Sequence, residues 1–230
     1  MIDRTSVPDQ VFARLQQAIL GGAYAPGERL PTQRALAADL GVNMATVREA
    51  LGRLEQLRLV ETRHGSGTHV RDWRTSGGLD ALTLLGAHAA DPAVGGALFE
   101  ARRLLLAEAA RLAAARRTAE QAAALSELAE AVGAAPDDAT ALLADWSFMA
   151  ALVEAAGNLV FQLIMNSVRE LYLPHAELFA ALVAERDGLL PLYARVARAV
   201  EAGDGDAAAT AVAELASAQE ARMARAGGGR

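Results

Sequence analysis

Arg48 and its small neighbours Ala45 and Gly52 are the first residues of this 230-residue chain whose types and spacing point to chemistry. At intervals of three and four they share one face of a helix, and a guanidinium flanked by small side chains can approach base edges or phosphates closely. A second group, His64-Gly65-Ser66-Gly67, is a polar tip whose two glycines let backbone come near a narrow groove or its phosphates. Catalytic sets are missing from the rest. The chain has no cysteine and four histidines, so a thiol nucleophile, a disulfide framework and a cysteine metal site are excluded. Residues 79–230 show no Ser-His-Asp set, no metal cluster and no phosphate-binding glycine loop, which argues against an enzyme with a DNA-binding appendage.

The elements that position these residues are written between Leu30 and Val70. Pro31 and Thr32 favour helix growth, and Leu36 and Leu40 then fall four apart on one face. Gly41 suits a left-handed stop, Val42 turns into the corner, and Asn43 starts the next helix as its N-cap. Over Met44 to Gln56, Val47, Leu51 and Leu54 make one buried stripe, which leaves Ala45, Arg48 and Gly52 outward. Leu59 to Arg63 and Thr68 to Val70 read as two short strands around the glycine tip. Two helices, a three-residue turn and a hairpin make a winged helix-turn-helix, a layout that binds duplex DNA. Upstream, Val11, Leu15 and Ile19 predict a supporting helix over Val7 to Gly21, preceded by a loose start at residues 1–6.

In these residues the chain resembles the GntR family of bacterial transcription regulators. The resemblance rests on the entry from Gly22 to Pro31, the Gly41-Val42-Asn43 turn, Val47-Arg48-Glu49-Ala50-Leu51, and the Leu-Val-Glu-Thr-Arg-His-Gly-x-Gly-Thr wing from Leu59. It implies that Arg34, Arg48 and the early recognition-helix residues Asn43, Met44, Ala45 and Thr46 contact double-stranded DNA. It also implies that the wing tip at His64, Gly65 and Ser66 enters the minor groove. Many relatives carry arginine where this chain has Met44, and methionine cannot make a bidentate contact to guanine, so the preferred operator differs at that base pair.

Four segments are expected: a DNA-binding domain over residues 1–70, a linker over 71–78, an all-α domain over 79–226, and a disordered tail over 227–230. The fold class is therefore mainly α. Arg71 to Gly78 is polar and aperiodic, and Trp73 within it is expected to dock on one domain and fix their orientation. From Leu79 to Met223 alanine and leucine recur at helical spacing. Breaks near Asp91-Pro92, Ala134-Ala135-Pro136, Gly157-Asn158, Pro174, Asp187-Gly188 and Gly203-Asp204 divide the stretch into six or seven helices of a bundle. Net charge is −6 overall but divides as +2 over residues 1–74 and −8 over 75–230. Binding to DNA must then rely on placed arginines and dimerisation rather than on a broad basic surface. No uninterrupted apolar run approaches the roughly 20 residues that span a bilayer, and no signal-peptide pattern opens the chain, so a cytoplasmic protein is expected.

The second half resembles the ligand-sensing domain of the FadR subfamily, most clearly from Ala144 to Tyr172 with its Gly157-Asn158 corner and Leu171-Tyr172 pair. Many such domains hold a divalent metal through an aspartate, a histidine four residues later, and two histidines on the last helices. Here Asp145 is present, but Met149 occupies the partner position and no histidine follows His175. No metal and no other cofactor is therefore expected, and His88 and His175 read as isolated. Loss of these ligands also marks the acyl-CoA-sensing branch of the subfamily, which implies a fatty acyl-CoA as effector, with a small carboxylic acid as the alternative. By the same resemblance Arg102 would anchor the effector, with Asp145 and Tyr172 lining its pocket. The resemblance implies a homodimeric, ligand-released repressor on a palindromic operator; a DNA-binding protein whose bundle only dimerises is the other alternative.

Overall fold

A computed structural model describes residues 6–78 and 92–227, which fall into two compact units, Met1–Ala81 and Leu82–Arg230. In the first, α1 (Val7–Leu20) starts at a capping box in which Ser6 and Asp9 bond reciprocally, so Ser6 is a fixed cap rather than part of a loose start. The other residues of that expected loose start lie outside the described residues. Helix α1 buries Val11, Leu15 and Ile19, the predicted stripe, and packs against α3 (Met44–Gln56), on which α2 (Gln33–Leu40) also packs. Thr32 caps α2, and Gly41 ends it at φ 65° in the left-handed region, where a side chain would be strained. Asn43 caps α3 by accepting from the Thr46 backbone N–H at 2.9 Å. Behind α3, Arg53 bonds Asp9 at 2.6 Å and lies 4.1 Å over the Phe12 ring, which ties the recognition helix to α1.

Strands β1 (Val60–Arg63) and β2 (Gly67–Val70) pair antiparallel, with Val60 opposite Val70 and Arg63 opposite Gly67. Each differs from its predicted span by one residue: Leu59 belongs to the corner after α3, where its N–H donates to the Leu54 carbonyl, and Gly67 joins β2 by pairing opposite Arg63. Gly67 has φ 91°, where a side chain would be strained, and a Cβ there would press on the Arg29 guanidinium, 2.8 Å from Nε. Part of the predicted linker is ordered: Asp72 caps a single helical turn, α4 (Trp73–Ser76), and the Ser76 hydroxyl reaches back to the Arg58 carbonyl at 3.2 Å. Trp73 is half-buried in this unit, with the Arg74 guanidinium 4.4 Å over its ring.

The second unit is helical throughout its described residues. Its long elements are α5 (Pro92–Arg116), α6 (Ala119–Ala134), α7 (Asp138–Ala155), α8 (Leu159–Tyr172), α10 (Leu190–Ala202) and α11 (Gly205–Gly227), with the short α9 (Ala176–Phe179) among single 3-10 turns between α8 and α10. One junction, at Arg117-Thr118, is absent from the predicted breaks. There Thr118 and Gln121 form a capping box that starts α6. Gly227 closes α11 instead of opening a tail, and the other residues of the expected tail lie outside the described residues. So does His88, and so does the side chain of His175.

Small side chains set the packing. Ala109, Ala110, Ala113 and Ala114 of α5 are fully buried, as is Ala208 of α11, and these flat faces let the two backbones approach closely. Leu125, Phe148, Leu152, Tyr193, Val196 and Leu215 fill the core between α6, α7, α10 and α11. A second cluster gathers Leu142, Tyr172, Phe179, Leu182 and Val183 beside Trp146. Two arginines hold the irregular stretch after α8, one bonding to it and one reaching out from it. Arg222 donates to Ala184 at 2.9 Å, and Arg186 binds both the Ala135 carbonyl, at 2.6 Å, and Asp138.

Candidate nucleic-acid interface and effector site

On the first unit the N-terminal turns of α3 present Asn43, Met44, Ala45 and Arg48 to solvent, with Met44 45% exposed. Arg34 on α2 is exposed too, and among the described residues neither Arg34 nor Arg48 makes an ion pair or hydrogen bond, leaving both guanidinium groups open to an anion. Thr46 is the exception among the expected contacts: it is buried, and its hydroxyl donates to Asn43 Oδ1 at 3.2 Å. It shapes the start of the helix from behind. That inward turn follows from its position beside Val47 on the packed face.

The wing tip His64-Gly65-Ser66 is exposed. His69, to which the sequence alone gives no role, holds it: Nδ1 donates to the Gly27 carbonyl at 3.2 Å, and Nε2 accepts from the Ser66 hydroxyl at 2.9 Å. Ser66 is therefore half committed to the wing's own structure, while His64 and Gly65 stay free of such bonds among the described residues. The stretch thus combines an exposed helix start, open arginines and a braced hairpin tip, the parts needed to enter a groove and straddle its backbone.

In the second unit Arg102 of α5, Asp145 of α7 and Tyr172 of α8 do come together, and two further residues join them. Asp145 is 1% exposed. Its Oδ1 accepts from the Tyr193 hydroxyl at 2.5 Å and from Gln219 Nε2 at 2.8 Å, and its Oδ2 accepts from the Tyr172 hydroxyl at 3.3 Å. Gln219 Nε2 also donates to Tyr193 Oη at 2.9 Å, while Gln219 Oε1 accepts from Arg102 Nη2 at 2.8 Å. Arg102 Nη2 lies 3.9 Å from Asp145 Oδ2, so the buried carboxylate has its countercharge nearby. Burial, and then the charge of Asp145, push both phenols well above the ordinary tyrosine range, so they remain protonated donors. Among the described residues one polar atom of the cluster is left over: Arg102 Nη1 is buried and has no hydrogen-bond partner.

Tyr193 and Gln219 escaped sequence reasoning because each sits at ordinary helical spacing on α10 or α11. The one available signal was a glutamine, Gln219, continuing the apolar register of Val212, Leu215 and Ala216 on its helix. Asp145 itself shows how a buried charge at a core position demands donors from every neighbouring element.

Comparison with known proteins agrees with both halves. The family described as bacterial regulatory proteins, gntR family, matches residues 8–70, and the FCD domain matches residues 97–218. The chain is 34% identical to the HTH-type transcriptional regulator Mce2R of Mycobacterium tuberculosis, over 93% of this chain and 90% of that protein. It is 30% identical to the HTH-type transcriptional regulator LutR of Bacillus subtilis, over 84% and 90%. In fold it is similar to Escherichia coli McbR/YncC, with a TM-score of 0.54 at 21% identity, covering 98% of this chain and 99% of that one. These relatives are regulators rather than enzymes, and no described helix is long and apolar enough to cross a membrane. The chain belongs to the GntR family of DNA-binding transcription regulators, with an FCD effector-binding domain following its winged helix.

Proposed function

We propose that this regulator works in the cytoplasm as a homodimer on a palindromic operator, and that an organic anion bound in the helical bundle releases it from DNA. A two-fold dimer presents its recognition helices to symmetric half-sites. The exposed apolar residues Leu159, Val160 and Leu163 on α8 support self-association of the bundle. At the DNA, Arg34, Met44, Ala45, Arg48, His64 and Gly65 make the contacts, with Asn43, Thr46 and Ser66 shaping the surfaces that carry them.

The single observation behind the effector reading is the buried, unpartnered Nη1 of Arg102. A desolvated cationic donor without an acceptor costs about 1–3 kcal/mol, which a carboxylate oxygen placed there would recover. A small carboxylic acid is the reading this favours. The fatty acyl-CoA reading draws on the subfamily resemblance, and it requires the packed apolar cluster of Tyr172, Phe179, Leu182 and Val183 next to the site to open for a hydrocarbon tail, which would gain about 0.8 kcal/mol per buried methylene. A coupling of about 1–3 kcal/mol between effector and operator is enough for regulation.

The test has two arms. Anisotropy at fixed salt with the promoter duplex reads DNA binding, where Arg48→Ala should cost about 1–3 kcal/mol; unchanged affinity would contradict the interface. Thermal shift against a panel of small carboxylic acids and acyl-CoAs reads the effector, since a ligand of the folded state raises the melting temperature. A shift with the acids that Arg102→Leu abolishes supports the first reading, and a shift only with acyl-CoAs supports the second. If neither class shifts melting or operator affinity, the bundle serves dimerisation alone.

A further inference from the structure

The fold family implies a divalent metal at the Asp145 position, so the donor set around that carboxylate decides whether one fits. A metal ion needs a ring of lone pairs. What surrounds Asp145 is a ring of hydrogens: the hydroxyls of Tyr193 and Tyr172, the amide of Gln219, and the guanidinium of Arg102 at 3.9 Å. Both phenols are held in the protonated form by burial and by the Asp145 charge, so neither offers a phenolate. One turn along α7 stands the thioether of Met149, 2% exposed, a poor ligand for a hard or borderline dication. Among the described residues no three of His, Cys, Asp and Glu gather around a common point. A dication placed here would also meet the fixed positive charge of Arg102. The residues present do not fit the metal.

They do complete one another. The amide of Gln219 is read in both directions: its oxygen accepts a hydrogen bond from Arg102 Nη2, and its nitrogen donates two, one to Asp145 and one to Tyr193. Reversing the amide would set NH₂ against a guanidinium and a carbonyl against a carboxylate, so its orientation is fixed by its neighbours. The result joins α5, α7, α8, α10 and α11 through one carboxylate. An ion bound by side chains from several helices would bring the same helices together.

We propose that Gln219, backed by Tyr193 and Arg102, takes the place of a cation in this bundle, so that Asp145 is neutralised and hydrogen-bonded from within the chain and the domain is complete without a metal ion. This does not rest on the effector or the operator, since neither enters the measurement that tests it.

The test uses the full-length protein and zinc alone. Wild type, incubated with zinc and then exchanged into metal-free buffer, should carry no metal above trace by mass spectrometry of the ashed sample. Its melting temperature should be the same in zinc and in chelator. Gln219→His combined with Met149→His replaces a donor and a thioether with two imidazole lone pairs beside Asp145, and its melting temperature should climb with zinc concentration. Gln219→Leu combined with Met149→His removes the same amide without supplying the second lone pair, and should be destabilised without a comparable zinc response. That contrast separates occupying the ion's place from merely filling space. Stoichiometric zinc on the wild type, or a chelator-sensitive wild-type melting temperature, overturns the proposal. The wild-type measurements decide this alone, whether or not either variant folds.

Discussion

Single side chains on this regulator carry information that their neighbours do not. Met44 is the clearest: it sits at the first position of α3, 45% exposed, and on the proposed interface its thioether would face a base without being able to donate to it. Met44→Arg is expected to move operator preference toward guanine at one base pair per half-site by about 1–3 kcal/mol, checked by competition anisotropy across single-base-pair variants of the operator. An unchanged ranking would remove Met44 from the interface. The candidate DNA contacts were legible before the fold because the turn, the caps and the arginine register all lie within one short stretch of sequence. Part of the buried polar cluster was not. Arg102, Asp145 and Tyr172 could be singled out by resemblance, but Tyr193 and Gln219 become meaningful only when α10 and α11 pack against α7. Tertiary contact between distant helices leaves no periodic mark.

At the scale of elements, legibility followed the punctuation. Pro31-Thr32, Gly41 and Asn43 give α2 and α3 their limits within a residue, since each supplies a cap or a left-handed stop. The junction between α5 and α6 was hidden because alanine runs on both sides blur the apolar period, although Thr118 and Gln121 spell a capping box. The end of α3 breaks the usual rule in another way: Arg58 occupies the left-handed position at φ 57°, where glycine is the common choice. The Leu59 N–H to Leu54 carbonyl bond requires that turn. Arg58→Gly should therefore stabilise the winged-helix unit by about 1 kcal/mol, since the left-handed penalty for a side chain exceeds the entropy glycine adds to the unfolded chain. Urea unfolding followed by circular dichroism would show it as a higher midpoint at unchanged slope.

The whole molecule separates its charge by task, with the modest positive excess of residues 1–74 set against the acidic remainder, so DNA affinity depends on a few arginines in place. Its stability should also have a defined alkaline limit. Tyr172 and Tyr193 are pushed above the ordinary phenol range in the folded state, first by burial and then by Asp145. Unfolded phenols ionise near about pH 10, so above that value the unfolded chain releases protons that the folded chain keeps, and stability falls as pH rises. Urea midpoints measured from about pH 8 to about pH 11 should decline, and Tyr193→Phe should lower the neutral value while flattening the decline. An equally steep decline in that variant would count against the burial argument.

The brace of His69 between Ser66 and the Gly27 carbonyl has a thermodynamic corollary. On the proposed interface, a hairpin tip already pinned to the loop beneath it should meet the duplex without a disorder-to-order transition, so complex formation should carry no folding contribution from the wing. Calorimetric titration of the operator at several temperatures should then give a heat-capacity change set by the apolar area the helices bury, and replacing His69 with alanine should make it more negative as the tip begins to order on contact.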